Sequence, residues 1–361
     1  MPETPHLWMR HETRASERRA PLVPEDAGRL VRQGVAITVE ESDRRVFPLE
    51  EYAAAGCRTA PAGSWTDAPR DAYVLGLKEL PAAPARLEHR HIFFGHAYKG
   101  QEGAGELLGR FAAGGGALLD LEYLVDEDGR RLAAFGYWAG YVGAALALLH
   151  RRGMLKPPLR PLAKEELDAL LREGADQDCR ALVIGALGRC GRGACDALAA
   201  GGVDATRWDV EETRDLDRRA LLGHDLLVNT VLTTRPVPPF LRREDLDAPG
   251  RRLSLVSDVT CDVTSECNVL PVYDQVTDWD SPVRPLACDG PPAEIVAIDN
   301  LPSLLPAESS RAFSAELTPQ LALLGGSGPA WRRALRTFET AVASVVTTTA
   351  DDHNERESHV R

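Results

Sequence analysis

One segment constrains this chain more than any other: Ala181-Leu-Val-Ile-Gly185-Ala-Leu-Gly188-Arg189-Cys190-Gly191. A short apolar strand runs into a glycine-rich turn, and the turn runs into the helical pattern Ala194–Ala200. Main-chain N–H groups at the start of that helix converge on one point, and the glycines let a pyrophosphate come close to the backbone. A second strand, Ala205–Trp208, ends in Asp209, at the separation expected for an acid that binds the adenosine ribose. An acid there favours the free 2′-hydroxyl of NAD over the phosphate of NADP. The spacing is G-x-x-G-x-x-G rather than G-x-G-x-x-G, so the turn taken alone also fits an α/β protein that binds no nucleotide. Strand, turn, helix, strand and acid in that order favour the nucleotide.

The rest of the chain repeats the alternation. Strands are predicted near Leu7–Arg10, Val35–Val39, Ala72–Leu77, His91–Phe94 and Ala117–Asp120, with helices at Glu25–Gln33, Leu49–Ala55 and Gly103–Ala113 between them. Such alternation implies βαβ units and largely parallel sheets. The segment Ala133–Leu149 is predicted helical, with Gly136, Gly140 and Gly143 at helical spacing, which suits close helix packing between domains. Lys156–Pro161 is predicted to be a surface connection, and the charged tail from Asp351 to be disordered.

Length and charge narrow the class. A chain of 361 residues suits two domains. The net charge of −12 argues against nucleic acid or an anionic membrane as partner, so an anionic small molecule would need a local basic pocket. The seven cysteines are scattered without C-x-x-C spacing, which fits neither a disulfide framework nor a zinc site, and no metal is expected. No apolar run reaches the roughly 18 residues of a membrane span, and no secretory signal is visible, so the expected location is the cytoplasm.

Charged residues recur where the first-half strands end, the usual place for ligand groups in α/β sheets. Arg14, Glu17, Arg18 and Arg19 follow the first strand; Lys78 and Glu79 follow Tyr73–Leu77; His96, Tyr98 and Lys99 follow His91–Phe94. Glu122 follows Ala117–Asp120, and Arg131 precedes the glycine-rich helix. Singly, each is more simply a solvated loop residue or a structural histidine. Together they offer guanidinium forks for carboxylates and titratable groups for proton transfer.

These blocks carry a resemblance. Gly76-Leu-Lys78-Glu79, Gly95-His96-Ala-Tyr98-Lys99, Asp120-Leu-Glu122-Tyr-Leu, Arg131-Leu-Ala-Ala-Phe135-Gly136, the glycine turn, Trp208-Asp209 and Ile298-Asp299-Asn-Leu-Pro302 stand in the order found in NAD-dependent, lysine-forming saccharopine dehydrogenases. The chain resembles that family over nearly its whole length. The resemblance implies two Rossmann-like α/β domains with parallel sheets and an active-site cleft between them. It assigns residues 1–134 plus about 316–361 to the substrate domain and 135–315 to the NAD-binding domain.

The family's lysine and histidine that share proton transfer match Lys78 and His96. Arginines that hold substrate carboxylates match Arg19 and Arg131, and acids that tune the site match Glu79 and Glu122, with Lys99 and Phe135 also on the substrate side. Gly185, Gly188, Arg189, Cys190, Gly191, Asp209 and Asp299 match the cofactor side. Thr230 stands where the fungal pattern has a cysteine able to pair with the one matching Cys190, which implies that Cys190 is a free thiol here. The implied substrate is saccharopine, or lysine and 2-oxoglutarate in reverse, for a monomer or small homo-oligomer. Two other readings remain open: a dehydrogenase of a related N-(carboxyalkyl) amino acid or opine-like amine, and a nucleotide-binding regulatory protein without turnover.

Overall fold

The apolar triplets and quartets become strands because burial on both faces rewards them. Leu7, Met9, Val39, Leu75, Ile92 and Leu118 are all completely covered. The computed structural model describes residues 5–99, 101, 103–174, 178–325 and 328–358. The chain divides into two units, Met1–Ala134 with Ser310–Arg361, and Phe135–Ser309.

In the first unit the order is β1 (His6–Met9), α1 (Pro24–Arg32), β2 (Ala36–Glu40), α2 (Leu49–Ala54), β3 (Arg58–Ala60), β4 (Tyr73–Leu75), β5 (Arg90–Phe93), α3 (Ala104–Gly114) and β6 (Ala117–Asp120). Helix α1 starts where Pro24 is pre-set for a first turn, with Glu25 and Asp26 at its positive end and Arg29 and Arg32 at the other. The six strands pair in parallel in the order β3-β2-β1-β4-β5-β6. Strand β3 was not expected from sequence. It carries exposed Arg58 and Thr59 at the sheet edge, and only pairing with β2 makes it a strand. The order reverses between β1 and β4, and α/β sheets take ligands beyond the carboxyl ends of strands at such a point.

The second unit runs α4 (Gly136–Arg151), α5 (Lys164–Glu173), β7 (Ala181–Ile184), α6 (Arg189–Ala200), β8 (Thr206–Trp208), α7 (Val210–Arg214), α8 (Arg218–Leu222), β9 (Leu226–Asn229), β10 (Leu255–Asp258), β11 (Arg284–Pro285) and β12 (Glu294–Val296). Its sheet order is β11-β12-β10-β9-β7-β8, parallel except for β11, and reverses between β7 and β9. Helix α4 corrects one expectation. Its glycines serve packing inside this unit rather than between domains. A Cβ at Gly140 would sit 1.9 Å from the Cys190 carbonyl oxygen, and one at Gly193 would sit 1.9 Å from that of Tyr137. Without those Cβ atoms α4 and α6 meet backbone to backbone.

The chain returns to the first unit within α9 (Pro306–Leu321), and α10 (Pro329–Ser358) follows. Phe338 of α10 meets Phe111 of α3 edge to face at 5.5 Å, and with Phe93 and Leu118 they form the core on that side of the sheet. Burying each such side chain contributes roughly 1.5–3 kcal/mol. Residues 351–358 belong to α10, which has no glycine or proline after Pro329, and residues 359–361 lie outside the described residues. No helix among the described residues is long and apolar enough to cross a membrane.

Candidate active site

At the carboxyl end of β1 the chain buries charge. The guanidinium of Arg10 donates to the His11 carbonyl at 3.0 Å, to Glu12 Oε2 at 3.4 Å and to the Lys78 carbonyl. Glu12, whose carboxyl is pushed up by burial, accepts the N–H groups of Leu77 at 2.7 Å and Lys78 at 3.1 Å. The backbone of Lys78 is therefore held at its carbonyl and its N–H by two residues that follow β1, and its side chain is half-buried. Neither Arg10 nor Glu12 was singled out from sequence. Besides a place in the block Leu7–Thr13 that shares the family resemblance, their signal was a charged pair directly after an apolar strand.

Beside this support lies a closed ion pair. Arg19 donates through Nε to Glu17 Oε1 at 2.8 Å and through Nη2 to Oε2 at 2.6 Å, with both side chains covered. Burial alone would raise the Glu17 carboxyl, but the charge and hydrogen bonds of Arg19 outweigh it and hold the group at about 2. Arg19 is 5% exposed, and Nε and Nη2 of its fork are engaged by Glu17 in the loop after β1. Arg14 pairs with Glu79 at 3.0 Å in the open. Glu79 lies below its ordinary value because its backbone hydrogen bond and Arg14 overcome the effect of burial.

The next two strand ends supply the proton-transfer candidates. The Phe94 N–H donates to the Leu77 carbonyl at 3.1 Å, so the segments carrying Lys78 and His96 leave the sheet side by side. Glu79 and His96 line one cavity of about 380 Å³ together with Phe94 and Arg110. His96 Nδ1 stands 3.7 Å from Glu122 Oε2, and Lys99 Nζ stands 2.9 Å from Glu122 Oε1. The hydrogen bond to Glu122 raises the Lys99 ammonium, while the positive charge of Arg131 opposes that rise. Glu122 thus stands between His96 and Lys99, Lys99 feels the charge of Arg131, and Arg131 is exposed where Arg19 is not. Phe135, half-buried, opens the second unit.

The second unit builds its strand end differently. Gly185 follows β7 at φ +82°, a conformation open to glycine, and its carbonyl accepts the Gly188 N–H at 3.1 Å. A Cβ at Gly191 would lie 2.1 Å from the Gly185 carbonyl oxygen, so the turn folds back onto α6 only without a side chain there. Gly188 caps α6, whose first residues are Arg189 and Cys190. Thr230, after β9, donates to the Ile184 carbonyl at 2.7 Å and to that of Gly185 at 3.2 Å, so it braces the turn where a disulfide partner would otherwise stand. Cys190 is a free thiol pushed up to about 12 by burial and by the charge of Asp258.

Asp209 ends β8 beside the turn, where Oδ2 accepts the Leu187 N–H at 2.9 Å. It also caps α7, so part of its acceptor capacity goes to the protein. Asp299 is exposed beyond β12. A buried network missed from sequence lies at the ends of β9 and β10. Asp258 accepts from Asn229 at 3.0 Å, Thr260 Oγ1 at 2.7 Å and the Tyr273 hydroxyl at 2.7 Å. Among the described residues, no group of three or more His, Cys, Asp or Glu is arranged to hold a metal ion.

Residues 8–142 match the family model described as alanine dehydrogenase/PNT, N-terminal domain. The chain is 42% identical to the saccharopine dehydrogenase [NAD(+), L-lysine-forming] of Schizosaccharomyces pombe, across 94% of this chain and 98% of that one. It is 41% identical to the protein of the same name from Emericella nidulans, with the same coverage. Among solved structures an L-alanine dehydrogenase superposes with a TM-score of 0.67 at 14% identity, covering 95% of this chain and 99% of that one. That likeness shows the fold.

Proposed function

This chain belongs to the family of L-lysine-forming, NAD(+)-dependent saccharopine dehydrogenases, and on that premise we propose that it oxidises saccharopine to L-lysine and 2-oxoglutarate. The observation that carries the reading is the meeting of His96, Lys99 and Glu122 beside the strand end that presents Lys78. The first unit is read as the substrate domain and the second as the NAD-binding domain.

The glycine turn fits NAD. The space a Cβ would fill at Gly191 is closed to side chains, the N-terminus of α6 faces the turn, and Asp209 stands beside it for a ribose hydroxyl. When bound, NAD supplies the acceptor for the hydride that leaves the carbon beside the amine nitrogen. The residues of the first unit manage protons and charge. A secondary ammonium cannot release hydride from its carbon until the nitrogen has lost its proton, and Lys78 takes that proton. Water then adds to the imine carbon, with His96 accepting a proton from it. Collapse of the carbinolamine needs a proton on the departing lysine nitrogen, which Lys78 or His96 returns. Glu122 and Glu79 keep the net charge around these bases low. Arg131, exposed and planar, suits a substrate carboxylate through two parallel hydrogen bonds.

The reading includes a cytoplasmic enzyme, a monomer or small homo-oligomer, whose partners are small molecules and not nucleic acid. The net charge of −12 supports the last point. The test is direct: mix the protein with NAD and saccharopine and follow NADH absorbance, lysine and 2-oxoglutarate. Equal yields of the three are expected. No NADH with saccharopine, but turnover with a shortened secondary-amine analogue, would replace the substrate and keep the reaction class.

A further inference from the structure

Asp120 closes β6 and takes no part in the chemistry above. Its side chain is completely covered, and both carboxylate oxygens are given to backbone groups. Oδ2 accepts the Gly95 N–H at 3.2 Å, and Oδ1 accepts the Glu122 N–H at 2.9 Å. The first of these peptides immediately precedes His96, and the second belongs to Glu122. One carboxylate thus grips the two segments whose side chains meet at 3.7 Å.

The local backbone shows why a grip is needed. His96 sits at φ 48°, in the left-handed region that a residue with a Cβ occupies at a cost of roughly 1 kcal/mol or more. Gly95 lies against β6 so closely that a Cβ would come within 2.5 Å of Leu118 Cδ2 and 3.2 Å of Asp120 Oδ2. The loop after β5 is thus pressed onto β6 at the peptide that Asp120 holds.

Holding it with a carboxylate is expensive. Burial pushes Asp120 up to about 7, helped by the charge of Glu122 and opposed by the two N–H donors and Lys99. Tyr98 and Tyr123 also stand close enough to be affected by its charge. A buried acid at this cost, with both oxygens aimed at the supports of one side-chain pair, matches a task at the site better than a gain in stability.

We propose that Asp120 is a positioning residue, setting the distance and orientation of His96 relative to Glu122 by holding the backbone of each. The proposal rests on the reading that His96 transfers protons in the reaction. A residue that merely caps the turn at Leu121–Tyr123 would influence stability alone.

The test uses the full-length Asp120→Asn and Asp120→Ala proteins, with kcat, KM for saccharopine, NADH affinity, melting temperature and the NMR titration of the His96 ring. His96→Gln identifies the ring signal. Asn keeps one acceptor oxygen but turns an NH2 toward the other donor, so its effect should be the smaller. Expected are a fall in kcat of roughly tenfold for Asn and up to about a hundredfold for Ala, KM and NADH affinity within about threefold, and a displaced His96 midpoint. A lowered melting temperature with kcat and the His96 midpoint unchanged would overturn the proposal.

If neither variant folds, the wild-type enzyme still decides. The Gly95 and Glu122 amide signals should follow one common titration, and independent behaviour of the two would reject the shared grip. Should His96→Gln turn over like wild type, the proton-transfer reading fails, whereas the His96 midpoint in the Asp120 variants still judges the positioning.

Discussion

At the ends of β4, β5 and β6 the first unit presents side chains, while at the end of β7 the second presents backbone. Lys78, His96, Lys99 and Glu122 bring charge and titratable groups to their strand ends, supported by the covered carboxylates of Glu12 and Asp120. The turn Gly185–Gly191 brings peptide N–H groups and the absence of Cβ atoms. The glycine turn and Lys78 lie beside the reversal of their sheet's strand order, while His96, Lys99 and Glu122 extend the first site toward the edge strand β6. A site built from charge should fail by losing a proton or an ion pair. A site built from backbone should fail by gaining a methyl group.

The sharpest break in that contrast is expected at Glu17. Its folded carboxyl lies at about 2 against an ordinary 4.5, so the stability it contributes is fully present above pH 4.5 and is lost as the pH falls from 4.5 toward 2. A displacement of that size corresponds to a contribution on the order of 3 kcal/mol. Glu17→Gln should therefore destabilise the protein by about that amount at pH 7. The deficit should shrink through the acid window, as read by chemical denaturation at several pH values. A deficit that does not change with pH would mean that the pair with Arg19 is not its source.

Lys78→Met and His96→Gln come next. Each should lower turnover by about a hundredfold or more with NADH affinity nearly intact, measured by steady-state kinetics and fluorescence titration. Wild-type turnover in either variant would remove that residue from the proton transfers. Gly191→Ala should do the opposite. Its methyl group meets the Gly185 carbonyl, a backbone atom with nowhere to retreat, so NADH binding should weaken by about tenfold. An unchanged NADH affinity would show that the turn has room the structure denies it.

The smallest effect separates two arginines inside the first unit. Arg131→Lys should raise KM for saccharopine severalfold at an unchanged melting temperature, since lysine cannot reproduce a planar two-bond contact. Arg19→Lys should lower the melting temperature and leave KM near wild type. Reversed results would return Arg19 to the substrate and make Arg131 a structural residue.

The α/β alternation, the glycine turn and the placing of charged residues at strand ends were legible along the chain, because each is a local pattern of a few residues. The helix at Gly136–Arg151 was legible for the same reason, but its partner was not. Small residues announce close packing without saying against what, and the answer, α6, lies some fifty residues further on. The strand β3 was invisible because its three residues are mostly exposed, and they owe their conformation to β2.

By itself, the sequence determined which chemistry this protein could assemble: a dinucleotide turn in one half and a store of Lys, His, Glu and Arg in the other. Tertiary structure alone decided which of those charges face outward and which hold one another. Arg19 and Arg131 look alike in sequence, yet one is locked to Glu17 beneath the loop and the other is exposed. Asp120 reads as the last residue of a strand until Gly95, Glu122 and His96 are seen around it. The physical reason is the strand order β4-β5-β6, which sets residues 78, 96 and 122 on neighbouring strand ends. Hydrogen bonds and ion pairs depend on distances of a few ångströms, and those distances exist only after the parallel sheet has brought separated segments together.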